Sequence, residues 1–298
     1  MDLRQLHYFL AVANHLSFSK ASQALHVSQP TLSKMVKNLE DELGLVLIDR
    51  STRRMQLTDA GTVVQSHAET VFRSLHDLNT ALSDVTHMRR GSIKLGLPPV
   101  IGASFFPRII AEFHRLHPQV RIQLVEEGGK MVESSLLTGS IDVGVVVLPV
   151  EDDMFKVVPL VERELKLVVH VSHRFSQADE VPLGALQGES FIIFRKGFSL
   201  YHHIREACIR EGFEPRVDYE SSQWDFIGEM VASNLGIAFL PETVCARLPS
   251  QETEVVPATK PIIHWNLALI WPKDQYVSHA TREFISFVTY WFHARRDT

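Results

Sequence analysis

Between Ser17 and Leu43 two short amphipathic helices follow one another with only a few residues between them, and this spacing restricts the fold more than any other feature. Ala21, Ala24 and Leu25 supply a small apolar face; Leu32, Met35, Val36, Leu39 and Leu43 then recur at i, i+3, i+4, i+7 and i+11. Ser28 is placed to cap the second helix. Pro30 falls in its first turn, where a missing N–H costs least. Pro30, Ser33, Lys34, Lys37 and Asp41 point away from the apolar stripe, with Gln29 and Thr31 on its flanks. A helix with small polar and basic residues outward suits the DNA major groove, which admits one helix and exposes base edges to its N-terminal residues. Two surface helices of some other helical domain are the plainer alternative.

The flanking residues favour the first reading. Leu3, Leu6, Leu10 and Ala13 follow helical spacing, so another helix precedes the pair. After Gly44, residues 45–48 and 55–57 read as two short strands around a loop at 49–54. Arg50, Arg53 and Arg54 in that loop suit phosphate or minor-groove contact; a solvated hairpin tip is the alternative.

The order Leu6-x-Tyr8-Phe9-x-Ala11-Val12-Ala13, Ser17-Phe18-Ser19-x-Ala21-Ser22, Leu25-x-Val27-Ser28-Gln29-Pro30-Thr31-Leu32-Ser33, Leu39-Glu40-x-Glu42-Leu43-Gly44, Leu47-Ile48-Asp49-Arg50 and Leu57-Thr58-x-Ala60-Gly61 closely resembles the N-terminal domain of LysR-type transcriptional regulators. Several linked motifs in one order make a specific signal over the first sixty residues and a looser one beyond. The resemblance implies a winged helix-turn-helix that binds double-stranded promoter DNA, a linker helix that dimerises, and a C-terminal effector-binding half similar to periplasmic solute-binding proteins.

Composition bounds the rest. A chain of 298 residues with 45% hydrophobic content has room for two or three domains and a substantial core. No run approaches the roughly 20 apolar residues of a membrane span, and the first residues lack a signal peptide's pattern, so no membrane association is expected and residence is expected in the cytoplasm. Cys208 and Cys245 are too few for a disulfide scaffold or a cysteine zinc site and read as buried small hydrophobes. Net charge is −5, but residues 1–58 hold seven Lys/Arg against five Asp/Glu, or +2. DNA binding would therefore use a local basic face and weaken with salt.

Thr58 is expected to cap a long helix reaching about Arg89. Val64, Ala68, Val71, Leu75, Leu78, Leu82 and Val85 alternate by four and three, the seam of a coiled coil that pairs two chains; packing on its own domain is the alternative, and the expected assembly is a dimer or a tetramer. From Ser92 strands at 93–97, 120–125 and 141–147 alternate with helices at 105–116 and 131–138, a largely parallel α/β sheet. A second set follows: strands at 165–171, 190–194, 216–219 and 236–240, with helices at 200–211 and 224–233. A strand at 266–271 and a helix at 278–295 can return to the first set. The expected architecture is α/β with an N-terminal winged helix-turn-helix (1–58), a linker dimerisation helix (59–90) and a two-lobed effector domain (91–298). Lobe I takes 91–162 and 266–298, lobe II 163–265.

Ligands in open α/β sheets gather beyond the carboxyl ends of strands, near free helix N–H groups. That rule, with the resemblance, selects Pro99, Ser104, Gly128, Gly129, Leu148, Arg195, Ser199, Ser222 and Trp224 as candidate effector contacts. Serine hydroxyls and Arg195 suit a small-molecule effector, a carboxylate among the candidates; ordinary helix caps and core packing compete. Pro98 and Pro99 stand where the family commonly has Ser or Thr, and Asn234 where it has glycine. His170-x-x-His173, His202-His203 and His114-x-x-His117 lack a third ligand at metal spacing, and no nucleophile elbow, phosphate loop or H-E-x-x-H pattern occurs. No cofactor, metal or catalytic residue is expected. Two other classes stay open: a solute-binding module whose helices serve association only, and an α/β enzyme with a regulatory helical domain.

Overall fold

The computed structural model describes residues 1–50, 55–86, 91–150 and 153–294, in two compact units, Met1–Asn79 and Thr80–Thr298. The first unit contains α1 (Leu3–His15), α2 (Phe18–Ala24), α3 (Gln29–Leu43), β1 (Ile48–Asp49), β2 (Gln56–Leu57) and most of α4 (Asp59–Thr86). Each of the first three helices begins on a side-chain cap. Asp2 and Gln5 form a reciprocal capping box at α1, Ser17 Oγ accepts from Lys20 N–H at 3.3 Å, and Ser28 Oγ accepts from Thr31 N–H at 3.3 Å. Gly44 ends α3 at φ +67°, a conformation open to glycine without strain. Leu6, Phe9, Val12, Leu32, Val36 and Leu39 pack into one apolar core.

Two local expectations change here. Ala24 is exposed, and α2 instead buries Phe18, Ala21 and Ser22. Leu45 and Val46 are also exposed: the chain is still leaving the Gly44 turn, and antiparallel pairing starts only at Ile48↔Leu57.

The 28-residue α4 spans roughly 42 Å at 1.5 Å per residue. Its early turns complete the first core through Val64, Ala68 and Phe72, and Gln65 Nε2 donates to Asn14 Oδ1 at 3.1 Å. Part of the seam thus packs on its own domain. Farther along, Val71, Leu78 and Leu82 are exposed at 41%, 56% and 55%.

The second unit opens with β3 (Ser92–Leu97), α5 (Pro99–Ser104), α6 (Phe106–Leu116), β4 (Arg121–Glu126), α7 (Gly129–Leu137), β5 (Val143–Val147) and β6 (Phe155–Val161). It continues through β7 (Leu165–His170), β8 (Glu180–Pro182), β9 (Ser190–Phe194), α8 (Ser199–Arg210), β10 (Arg216–Ser221), α9 (Trp224–Ala232), β11 (Ala238–Pro241), α10 (Glu242–Cys245), β12 (Thr253–Val256) and β13 (Ala258–Lys260), then closes with β14 (Leu267–Pro272) and α11 (His279–His293). One sheet has the order β4-β3-β5-β14-β6. Its β3 runs parallel to β4 and β5, but β14 is antiparallel to β5 and β6 because it re-enters beside the end of β5, at Leu267↔Val147.

The other strands depart further from a largely parallel arrangement. β7 lies between β11 and β12 with both pairings antiparallel, while β9 and β10, and β8 and β13, pair in parallel. The chain passes between the two strand groups twice. These passes lie side by side: Leu165 N–H donates to Ile263 C=O at 2.8 Å and Trp265 N–H to Arg163 C=O at 2.7 Å. Trp265, Phe106, Phe113 and Phe284 are fully buried in a core that runs through both groups. Removing each large ring from water contributes on the order of 2 kcal/mol.

Candidate nucleic-acid interface and ligand cleft

Helix α3 presents one polar face. Ser28, Gln29, Pro30, Thr31, Lys34 and Lys37 are exposed, and Ser33 is half-buried. Ser28 and Thr31 hydroxyls lie 2.7 Å apart, so the cap also organises the first turn. Gln29 Oε1 accepts from Ser19 Oγ at 3.1 Å, which links α3 to α2 and leaves the Gln29 amide NH2 to donate elsewhere. Lys34 and Lys37, three residues apart, share a helical side.

Arg50 is held differently. It pairs with Glu40 Oε2 at 3.1 Å, and its guanidinium lies 4.8 Å from the Phe18 ring centroid, where the ring's negative face attracts the cation. Arg53 and Arg54 lie outside the described residues.

In the second unit, four of the nine candidate effector contacts converge. Gly128, the N-cap of α7, approaches Gly197 so closely that a Cβ there would sit 2.2 Å from the Gly197 carbonyl oxygen; a Cβ on Gly129 would sit 2.7 Å from Ser199 Oγ. Leu148 and Ser199 line a cleft of about 710 Å³. Its other polar lining includes Lys130, Glu133, His202, His203, Glu206 and Arg210. Lys130 pairs with Glu133 at 3.4 Å. Burial pushes the His203 imidazole below its ordinary range, with Glu206 opposing. The sequence reading missed this cluster. Only the short i, i+1 and i, i+4 spacing of His202, His203 and Glu206 along α8 carried a signal.

The remaining five lie apart from that cleft's lining. Ser104 ends α5, donates to Val100 C=O at 2.8 Å, shares a 2.8 Å hydroxyl contact with Thr243 and lines a different cleft. Residues 99–104 form α5, a helix the sequence periodicity did not show, so Ser104 ends one helix and stands one residue before Phe105, the N-cap of α6. Pro99 opens α5, half-buried. Arg195 is exposed after β9, its backbone N–H bonded to Ser221 C=O at 3.0 Å. Ser222 is half-buried, and Trp224, the first residue of α9, packs against the main core.

Among the described residues no group of three or more His, Cys, Asp or Glu is arranged to hold a metal ion, and no helix is long and apolar enough to cross a membrane. His170 and His173 are engaged locally: His170 Nδ1 with Ser172 Oγ at 2.7 Å, His173 Nε2 with Glu189 at 3.4 Å.

Residues 3–62 match the family model described as bacterial regulatory helix-turn-helix protein, lysR family, and residues 86–292 match the LysR substrate binding domain. An uncharacterised helix-turn-helix-type transcriptional regulator of Bacillus subtilis (strain 168), YwbI, is 46% identical over 100% of this chain and 99% of its own. The hydrogen peroxide-inducible genes activator of Dickeya chrysanthemi is 31% identical over 81% of this chain and 79% of its own. Among solved structures, a full-length OxyR variant from Pseudomonas aeruginosa matches at 26% identity and TM-score 0.61, covering 97% of this chain and 99% of that one.

Proposed function

The chain belongs to the LysR family of bacterial transcriptional regulators, a DNA-binding regulator with an effector-binding domain, and from that premise we propose which residues read DNA and which bind the effector. The reading head is 1–58, the linker helix 59–90 and the effector domain 91–298. Gln29, Thr31, Ser33 and Lys34 meet base edges; Ser28, Pro30, Lys37, Arg53 and Arg54 meet the backbone, with Arg50 bracing the wing from its Glu40 pair. The exposed polar face of α3, fixed at its start by the Ser28 cap, is the observation that carries this assignment.

Replacing Gln29 with Ala is expected to cost about 1–3 kcal/mol on the preferred site and relax sequence choice. Replacing Lys37 with Ala should weaken every duplex alike and reduce the salt slope by about one. Mobility-shift titrations at several salt concentrations distinguish the two; the reverse pattern overturns the assignment.

The effector is a small anion seated where Leu148 and Ser199 meet Lys130 and Arg210, beside the contact of Gly128 with Gly197. Bound there, it would favour one arrangement of the two strand groups over another, and only that difference in affinity moves the output. The effector leaves unchanged: mass spectrometry after prolonged incubation should recover it intact, and turnover would favour an enzyme. Dimers form through α4, tetramers from pairs of dimers, and the protein works in the cytoplasm, where promoter DNA is.

One relative is named for induction by hydrogen peroxide. Thiol chemistry is a poor fit to this chain. Cys208 is fully buried, and burial pushes both Cys208 and Cys245 thiols up to about 12, so the reactive thiolate is scarce near neutral pH. Peroxide is expected to leave promoter binding unchanged in a mobility-shift assay; a shift that disappears in the Cys208→Ser, Cys245→Ser variant would contradict this.

A further inference from the structure

A second cleft of about 760 Å³ lies in the effector domain and shares no lining residue with the cleft at Leu148 and Ser199. Part of its lining is aromatic. Phe105, between α5 and α6, stands edge-on to Phe292 of α11 at 5.3 Å between ring centroids, and Trp291 lies 5.1 Å from Phe292. Another part is cationic: Arg108 in the first turn of α6, Arg163 in the pass after β6, and Arg247 just beyond α10, against the single acidic lining residue Glu162. Arg163 is committed to Glu242 at 3.0 Å. Arg108 and Arg247 are exposed, and their guanidinium groups make no hydrogen bond or ion pair among the described residues.

We propose that this cleft is a second ligand site, for a small organic anion with a flat apolar body. Arg108 and Arg247 grip the anionic group with charge-assisted hydrogen bonds, and the body lies against Phe105 and Trp291. Sites of this size and mixed lining suit a compact molecule whose few polar contacts fix its orientation. The position gives the ligand leverage. Arg163 belongs to one of the two passes that join the strand groups, Ser104 and Thr243 bridge α5 to α10 at 2.8 Å, and Arg108 follows Ser104 along the chain as Arg247 follows Thr243, so that the two arginines come from the two bridged segments. An occupant touching both segments binds one arrangement of the strand groups better than another, and so is coupled to the first cleft with reciprocal effect.

The test is calorimetric titration of the full chain with 2-naphthoate, using the uncharged 2-naphthamide as its control. Saturable binding of one molecule per chain is expected, weakened about tenfold or more by Arg108→Ala with Arg247→Ala, and similarly weaker for the amide. Leu148→Trp, which fills the first cleft, should leave this binding unchanged. Absence of binding at millimolar naphthoate, equal binding by the double arginine variant, or loss in Leu148→Trp alone would each overturn the proposal. None of these outcomes bears on DNA reading.

Discussion

Glu40 ties three pieces of the reading head together. Its Oε1 accepts from the backbone N–H groups of Leu47 and Ile48 at 2.9 and 3.1 Å, and its Oε2 holds Arg50, which in turn covers Phe18 of α2. One carboxylate on α3 thereby orients both β1 and α2 around the helix proposed to meet DNA. His203 acts in the other unit through its burial. Unfolded chains take up a proton near the ordinary histidine pKa of about 6.5, whereas the folded chain resists until lower pH, so stability from this group is full above about 6.5 and falls as pH drops toward the folded pKa. Urea midpoints between about pH 5 and pH 7.5 are expected to fall on the acid side, and less steeply in His203→Gln. His7, also pushed down by burial, adds a slope of the same sign in the first unit and is the control substitution. An unchanged slope in His203→Gln contradicts the assignment.

Among the elements, α4 makes the sharpest demand for a partner. Its early turns are satisfied by the winged core, yet Val71, Leu78 and Leu82 continue an apolar seam into solvent. Leu78→Glu is expected to convert a dimer to monomers in sedimentation velocity without unfolding either unit; a dimer of wild-type strength would show that pairing lies elsewhere. The three leading helices were readable from their apolar spacing and, for α3, from the Ser28 cap; the caps at Asp2 and Ser17 emerge only in the structure. Elsewhere the local signal fails for identifiable reasons. β6 alternates poorly and carries Pro159, β8 and β13 have three residues each, and α5 is a six-residue helix opened by Pro99. Asn234, unusual against the family's glycine, adopts φ +57°, a left-handed conformation that asparagine tolerates. Of the candidate effector contacts, Gly128, Gly129, Leu148 and Ser199 come together. The cleft's far wall at Pro261 and His264 was not readable, since it reaches α8 only through tertiary folding.

At the level of the whole molecule, each unit has a separate task, and regulation requires that they be joined by α4. A reading head of modest basicity binds weakly alone, because one helix contacts only a few bases. On the proposed reading, two heads held by paired linkers read two half-sites, and their spacing then depends on the arrangement of the effector domains. On that reading an occupant of either cleft affects transcription only through that arrangement. Sequence-specific reading by paired heads is therefore the central claim. Its most direct test is to bind the purified full chain to a pool of random duplex DNA and sequence the retained fraction. The expected result is enrichment of a two-fold symmetric site with half-sites one or more helical turns apart. Retention without enrichment would leave only phosphate attraction and contradict the account.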